Sequence, residues 1–258
     1  MVKLSPAQDS LPLRERYRQE MNCQITKDSI HQRRGWTLTY LLELGVDKVG
    51  FGSVAIAGPW EDKPTIIEFY IFPEYRTHAF DLFEAFLAAS NARFFEVQSN
   101  DVLLAVMLYT YGREISSESM VFHDKISTNL LPNGASLRRV TSEEEILACI
   151  EERAGGGEWV LEKDGVDAAK GGILFHYNRP YGDIYMEVAE PFRQHGLGSY
   201  LVQELKRECY RLGAIPCARC SPANVPSRRT LLRAGFVPFA HILDGSLALP
   251  SQQSAVAS

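Results

Sequence analysis

Two glycines at the mouth of an apolar helix constrain this chain more than any other feature. The stretch "RQHGLGSYLVQEL", Arg193 to Leu205, follows the strand-like run "GDIYMEVAEPF". From Leu197 onward the apolar residues Leu197, Leu201, Val202, Leu205, Cys209 and Leu212 recur at helical spacing. Gly213 then supplies a stop. Glycine costs roughly 1 kcal/mol against alanine inside a helix, yet Gly196 and Gly198 stand where this one begins. A helix N-terminus presents unpartnered N–H groups and partial positive charge. Glycine there lets an anion reach the backbone, and Arg193 adds a charged fork of donors. The pattern reads as a pyrophosphate cradle. A dinucleotide loop would need glycine at 201, which is Leu, and a P-loop would need Gly-Lys-Ser/Thr, which is absent.

The same succession of elements is written twice. In the second half, "SEEEILACIEER" opens as a helix, with Thr141 or Ser142 as N-cap. Two strands follow around Asp164-Gly165, a hairpin signal. Then come the strand and helix above, the strand "AIPCARCS", the short helix "VPSRRTLLRAG" and one or two strands in "FVPFAHIL". The first half repeats the order: two strands around Gly45, the strand "TIIEFYIFPEYR", the helix "THAFDLFEAFLAASNA", the strand "RFFEVQSND", the helix "VLLAVMLYTYG" and the strand "REISSESMVF". "GVD" recurs at 45–47 and 165–167, and "RTHAFD" at 76–81 faces "RQHGLG" at 193–198 with nearly the same offset. The expectation is an α/β (α+β) chain of two tandem domains, 1–130 and 136–250, each a mixed sheet flanked by helices. "STNLLPNGAS", 127–136, is the connector, one or two helices precede Trp36, and the tail "SQQSAVAS" is disordered.

Composition narrows the partners. A net charge of -5 argues against nucleic acid. No apolar run approaches the ~18 residues a membrane span needs, and the first residues lack a signal-peptide core. The 5 cysteines are an odd, dispersed set, so a cytoplasmic protein without a disulfide framework is expected. Cys217 and Cys220 form a lone C-x-x-C; with no second pair to complete a metal site, they read as small apolar residues of a strand, and no metal is expected.

"VAEPFRQHGLGSYLVQEL" resembles the signature of the GNAT superfamily of acyl-CoA-dependent N-acyltransferases: Arg or Gln, two residues, Gly, one residue, Gly or Ala, with a valine five residues before the Arg. Val188 and Arg193 match. "SPANVPSRRTLLRAGF" resembles the next segment of the family, with Asn224 before Gly235-Phe236. The resemblance covers 137–244. It implies that acetyl-CoA is the cosubstrate. The amides of Gln194, His195, Gly196, Leu197, Gly198 and Ser199 would face its pyrophosphate, with Arg193 beside them. The backbone at Met186 and Val188 would pair with the pantetheine, Asn224 would bond it from the far side, and Arg228, with Arg229, would reach the phosphates. The implied reaction is direct acetyl transfer to a primary amine, either a small molecule or an amino-terminal group.

Such a transfer needs a base to take the proton of the amine. The candidates are Asp183 first, then Glu187, which shares its strand face by alternation, and His176. Many relatives place a tyrosine four residues before the Gly-Phe glycine as proton donor to the thiolate; here that residue is Leu231, and the acid stays unassigned. That departure keeps a second reading open, an acetyl-CoA-binding sensor or interaction module without turnover. In the first repeat, Ala79 and Asp81 stand where the glycines should be. A carboxylate at the helix mouth caps the amides and repels pyrophosphate, so this repeat is expected to keep the fold and to have lost the coenzyme. Because His78 and His195 match across the repeats, a structural role is expected for both. Gly198→Asp, which copies Asp81, is expected to abolish coenzyme binding in a folded protein.

Overall fold

The computed structural model describes residues 2–5, 7–131, 134–140 and 159–248. The chain divides into two compact units, Met1–Glu118 with Ala240–Ser258, and Ser119–Phe239. In chain order the first half holds β1 (Val2–Ser5), α1 (Ala7–Met21), β2 (Thr37–Leu44), β3 (Asp47–Ala55), β4 (Thr65–Ile71), α2 (Ala79–Ser90), β5 (Phe94–Gln98), α3 (Val102–Tyr111) and β6 (Gly112–Asp124). The second holds β7 (Ala135–Arg139), β8 (Trp159–Lys163), β9 (Val166–Leu174), β10 (Tyr181–Val188), α4 (Leu197–Arg211), β11 (Ile215–Cys220), α5 (Val225–Arg233) and β12 (Phe236–Leu247). From β2 to β6 and from β8 to β12 the described order of strands and helices is the same.

Each unit has a mixed sheet. Strands run β1-β2-β3-β4-β5-β12 in the first and β6-β11-β10-β9-β8-β7 in the second. The parallel pairs are β4 with β5 and β10 with β11; the helices α2 and α4 make those crossovers, as parallel neighbours require. α4 buries Leu201, Val202, Leu205 and Cys209 completely, against Ile173, Ile184 and Phe236. α2 buries Leu82 and, completely, Phe83 and Phe86, and these two rings meet Phe69 and Phe95 in edge and stacked contacts. Asp164 and Gly165 both take positive φ in the two-residue turn between β8 and β9, as the hairpin signal predicts.

Four expectations need correction or restriction. Leu212 is 48% exposed, because the helix has ended: Gly213, at φ +73, closes it by donating to the Tyr210 carbonyl. "FVPFAHIL" belongs to one long strand, β12. Two strands carry no signal in the sequence: β1, paired with β2, and β7, which begins inside the expected connector and pairs with β8. The expected helix at 142–153 and the tail after 248 lie outside the described residues.

The polar interior of the first unit is a charge network. Arg14, 4% exposed, donates to Glu68 at 3.1 Å and to Asp28 at 3.0 Å. His31 Nε2 lies 2.8 Å from the other Glu68 oxygen, and Arg18 holds Asp28 from the far side. Glu68 is completely buried. Burial alone would raise its pKa, but the charges of Arg14 and His31 overcome that and hold it well below the carboxylate range.

Candidate active site

In the second unit, β10 and β11 pair only from Tyr181↔Ile215 to Asp183↔Cys217. Beyond Asp183, β10 keeps its partner β9 as far as Val188↔Ala169, while β11 pairs with β6. The two parallel strands therefore part at the Asp183–Cys217 pair. The Ala189 N–H donates to Ala168 on the β9 side. By alternation the backbone groups of Val188, Met186 and Ile184 face the opening. The opening runs five residues along β10, about 16 Å, and α4 starts just past its wide end.

That helix start has the geometry of an anion cradle. Gln194 and Gly196 take φ +66 and +81. Gly196 is the N-cap, with no side-chain capping bond, and the first turn carries no acid. The first intrahelical bond comes from the Tyr200 N–H to the Gly196 carbonyl at 3.1 Å, so the amides of Leu197, Gly198 and Ser199 precede the helical ladder. The left-handed φ explains glycine at 196. Gly198 has a packing reason besides the expected one. A Cβ there would stand 3.1 Å from Val188 Cγ2 and 3.3 Å from Thr230 Cγ2, so this glycine seats the helix on β10 and α5. Gly198→Asp would force a carboxylate into that packing, and it is no clean test of coenzyme binding.

The other expected ligands fall as follows. Arg193 Nε donates to the Val188 carbonyl at 3.0 Å, which ties the guanidinium to the end of β10 and takes one of the groups expected to pair with pantetheine. Ser199 is buried, its hydroxyl donating to the Thr230 carbonyl at 3.2 Å. Gln194 and His195 are exposed at the loop. His78 is exposed too, so neither matched histidine packs in a core. Asn224 Oδ1 caps α5 by accepting from the Ser227 N–H at 3.0 Å. Arg228 donates to the Pro222 carbonyl at 3.4 Å, and Arg229 is exposed. A cation missed in the sequence is Arg233, whose guanidinium lies 3.5–3.7 Å from where a Gly196 Cβ would be. Its position two residues before Gly235 was the available signal.

At the narrow end of the opening stands the expected base. Asp183 is 5% exposed. Its Oδ2 lies 2.9 Å from His176 Nε2 and 3.8 Å from Arg219 Nε. Two of the three candidates thus form one pair. The third, Glu187, is exposed and four residues further along the strand, about 13 Å away. Asp183, Cys217 and His123 form one row across β10, β11 and β6, on the sheet face opposite Ile184, Phe122 and Ala218, which pack with α4. His123 stacks on Phe239 at 3.6 Å, and burial, then Lys125, lowers its pKa to about 4. Cys220, three residues after Cys217, projects from the other face, so the C-x-x-C brings no two thiols together. Among the described residues no disulfide joins Cys23, Cys209, Cys217 and Cys220.

The first unit has the same split, after Ile66↔Phe95, but its side chains are spent. Gln98 on β5 donates to the Gln24 carbonyl at 2.9 Å and accepts from the Thr26 N–H at 3.3 Å. Glu68 on β4 is locked by Arg14 and His31. Asp81 is exposed in the first turn of α2 and makes no capping bond among the described residues; its effect on an anion is through charge.

Residues 127–236 match the family model of the GNAT acetyltransferases. That segment, under half of the chain, is what the family model covers. Solved structures agree over nearly the whole length. A GNAT-family acetyltransferase from Colwellia psychrerythraea superposes with a TM-score of 0.72 at 14% identity, covering 96% of this chain and all of that one. A GCN5-related N-acetyltransferase from Sphaerobacter thermophilus gives 0.60 at 13%, covering 95% and 94%. A tandem GNAT protein from the clavulanic acid biosynthesis pathway gives 0.58 at 13%, covering 95% and 97%. At these identities the likeness is one of fold, and that fold is the expected mixed α/β one. A search of the curated proteins gives no significant match.

Proposed function

We propose that the chain transfers an acetyl group from acetyl-CoA to a primary amine, with 136–250 as the coenzyme-binding repeat and 1–130 as a degenerate one. The observation that carries this is the opening between β10 and β11, with the α4 cradle at its wide end and Asp183 at its apex. The amides of α4 and the cations Arg193 and Arg233 suit the pyrophosphate. Backbone groups of Met186 and the Val188 N–H suit the pantetheine, which brings the thioester toward Asp183. There Asp183, oriented by His176, takes the proton of the attacking amine. Amides of the parted strand serve as donors to the developing oxyanion. Asn224 and Arg228 hold the α5 side of the opening through their bonds to Ser227 and Pro222. Buried cysteines without disulfides among the described residues suit a reducing, cytoplasmic setting.

Leu231, 4% exposed and packed in the core, is the observation on the side of a module that binds acetyl-CoA without turnover. A thiol-release assay with acetyl-CoA over a panel of primary amines decides between them. Release with one or more amines is the expected result; coenzyme binding with no release from any of them refutes the transferase.

Arg233→Ala tests the cradle. Loss of a charge-assisted contact of 1.5–3 kcal/mol predicts coenzyme A binding weaker by about ten- to a hundredfold in calorimetry, with an unchanged unfolding midpoint. Unaltered affinity would remove Arg233 from the site.

A further inference from the structure

Asp183 is buried, paired with His176 and hydrogen-bonded by the Tyr177 hydroxyl, so an acceptor meets other groups first. The exposed one beside it is Arg219. β11 parts from β10 after the Asp183↔Cys217 pair, and Arg219 lies two residues further along β11 on the Cys217 face. It therefore flanks the opening on the face away from α4. Its side chain is 36% exposed, and its Nε lies 3.8 Å from Asp183 Oδ2, too far for a hydrogen bond. Its neighbour on β6 is Val121, buried and apolar. Tyr185, the next residue of β10 on that face, leans the other way. Its hydroxyl lies 2.6 Å from where a Gly172 Cβ would be, over β9. Glycine at 172 thus lets the ring lie on β9 and not across from Arg219.

We infer that Arg219 takes a carboxylate of the acceptor, and that the acceptor is an α-amino acid. This rests on the transferase reading above. A guanidinium meets a carboxylate with two parallel N–H bonds, whereas it repels a second ammonium on the acceptor. Arg219 and the base stand side by side, so the carboxylate must sit close to the reacting nitrogen. In an α-amino acid one carbon separates the two groups. A long ω-amino acid would have to fold back on itself, and a carboxamide or a plain amine offers Arg219 no ionic partner. Further along the same face Glu187 stands opposite Lys170 on β9, so those two charges offset each other.

The test uses the full chain, acetyl-CoA, and four sets of probes: the protein amino acids, their carboxamides, 6-aminohexanoate and n-butylamine. At least one α-amino acid should release thiol at least tenfold faster than its own carboxamide, 6-aminohexanoate and n-butylamine. For that amino acid, Arg219→Gln should raise KM about ten- to a hundredfold, as loss of a charge-assisted bond predicts. It should also erase the advantage over the carboxamide, with KM for acetyl-CoA and the unfolding midpoint unchanged. Carboxamides, 6-aminohexanoate or n-butylamine as fast as every amino acid overturn the inference and leave the transferase standing. So does an unchanged amino-acid KM in Arg219→Gln. Equal losses on the amino acid and its carboxamide overturn it too, since Arg219 would then act through Asp183 and not on the acceptor. Absence of thiol release from every probe, with coenzyme bound, overturns the transferase reading and this inference with it.

Discussion

Asp183→Asn is expected to slow acetyl transfer by about 10²–10⁴-fold, the range for loss of a positioned base, while coenzyme A affinity stays within about twofold. Asparagine keeps the shape of the side chain but gives up the charge and the proton acceptor. It also removes the carboxylate that orients His176 at 2.9 Å. The proposed coenzyme contacts lie elsewhere: α4 starts beyond Val188, which is five residues past the apex. Glu187→Gln serves as control, since an exposed carboxylate about 13 Å along the strand should change the rate by less than about threefold. Steady-state kinetics of thiol release check both. Equal, small losses in the two variants would place the base outside the strand.

Arg14→Met is expected to destabilise the protein by about 3–5 kcal/mol, the usual result of removing one partner from a buried ion network. Glu68, with no exposure, would be left with His31 alone, and Asp28 with Arg18. The pH dependence has a definite sign. The folded pKa of Glu68 lies below its unfolded value of about 4.3, so its contribution is full above that pH and falls as acid protonates it. The stability gap between wild type and variant should therefore narrow from pH 7 to pH 3, read by urea unfolding. A gap that widened in acid would mean that Glu68 is not the charge Arg14 stabilises.

What the sequence discloses follows from where the physics is local. The strand, loop and helix start around Gly196 were legible because they are contiguous, and each glycine left a mark in an otherwise apolar pattern. The hairpin at Asp164-Gly165 and the stop at Gly213 were legible for the same reason. The packing reason for Gly198 was not legible, because the atoms that crowd a Cβ there belong to Val188 and Thr230, and the packing of α5 against α4 has no signature in either helix alone. His176 and Asp183 were separate candidates; only the β9–β10 hairpin brings them together. Tyr177, Arg219 and His123 were missed, since three strands had to be laid in register before they shared a face. β7 is too short for alternation to announce it. In the first repeat Asp81 hinted at lost coenzyme binding, but the network of Arg14, His31 and Gln98 depends on contacts over tens of residues.

The most direct test of the account is the stoichiometry of coenzyme A binding to the full chain, by isothermal titration calorimetry. One working cradle and one degenerate repeat predict a single site per chain, weakened by Arg233→Ala. Two equivalent sites would mean that the first repeat keeps its coenzyme despite Asp81. No binding would mean that the opening between β10 and β11 is not a coenzyme site at all.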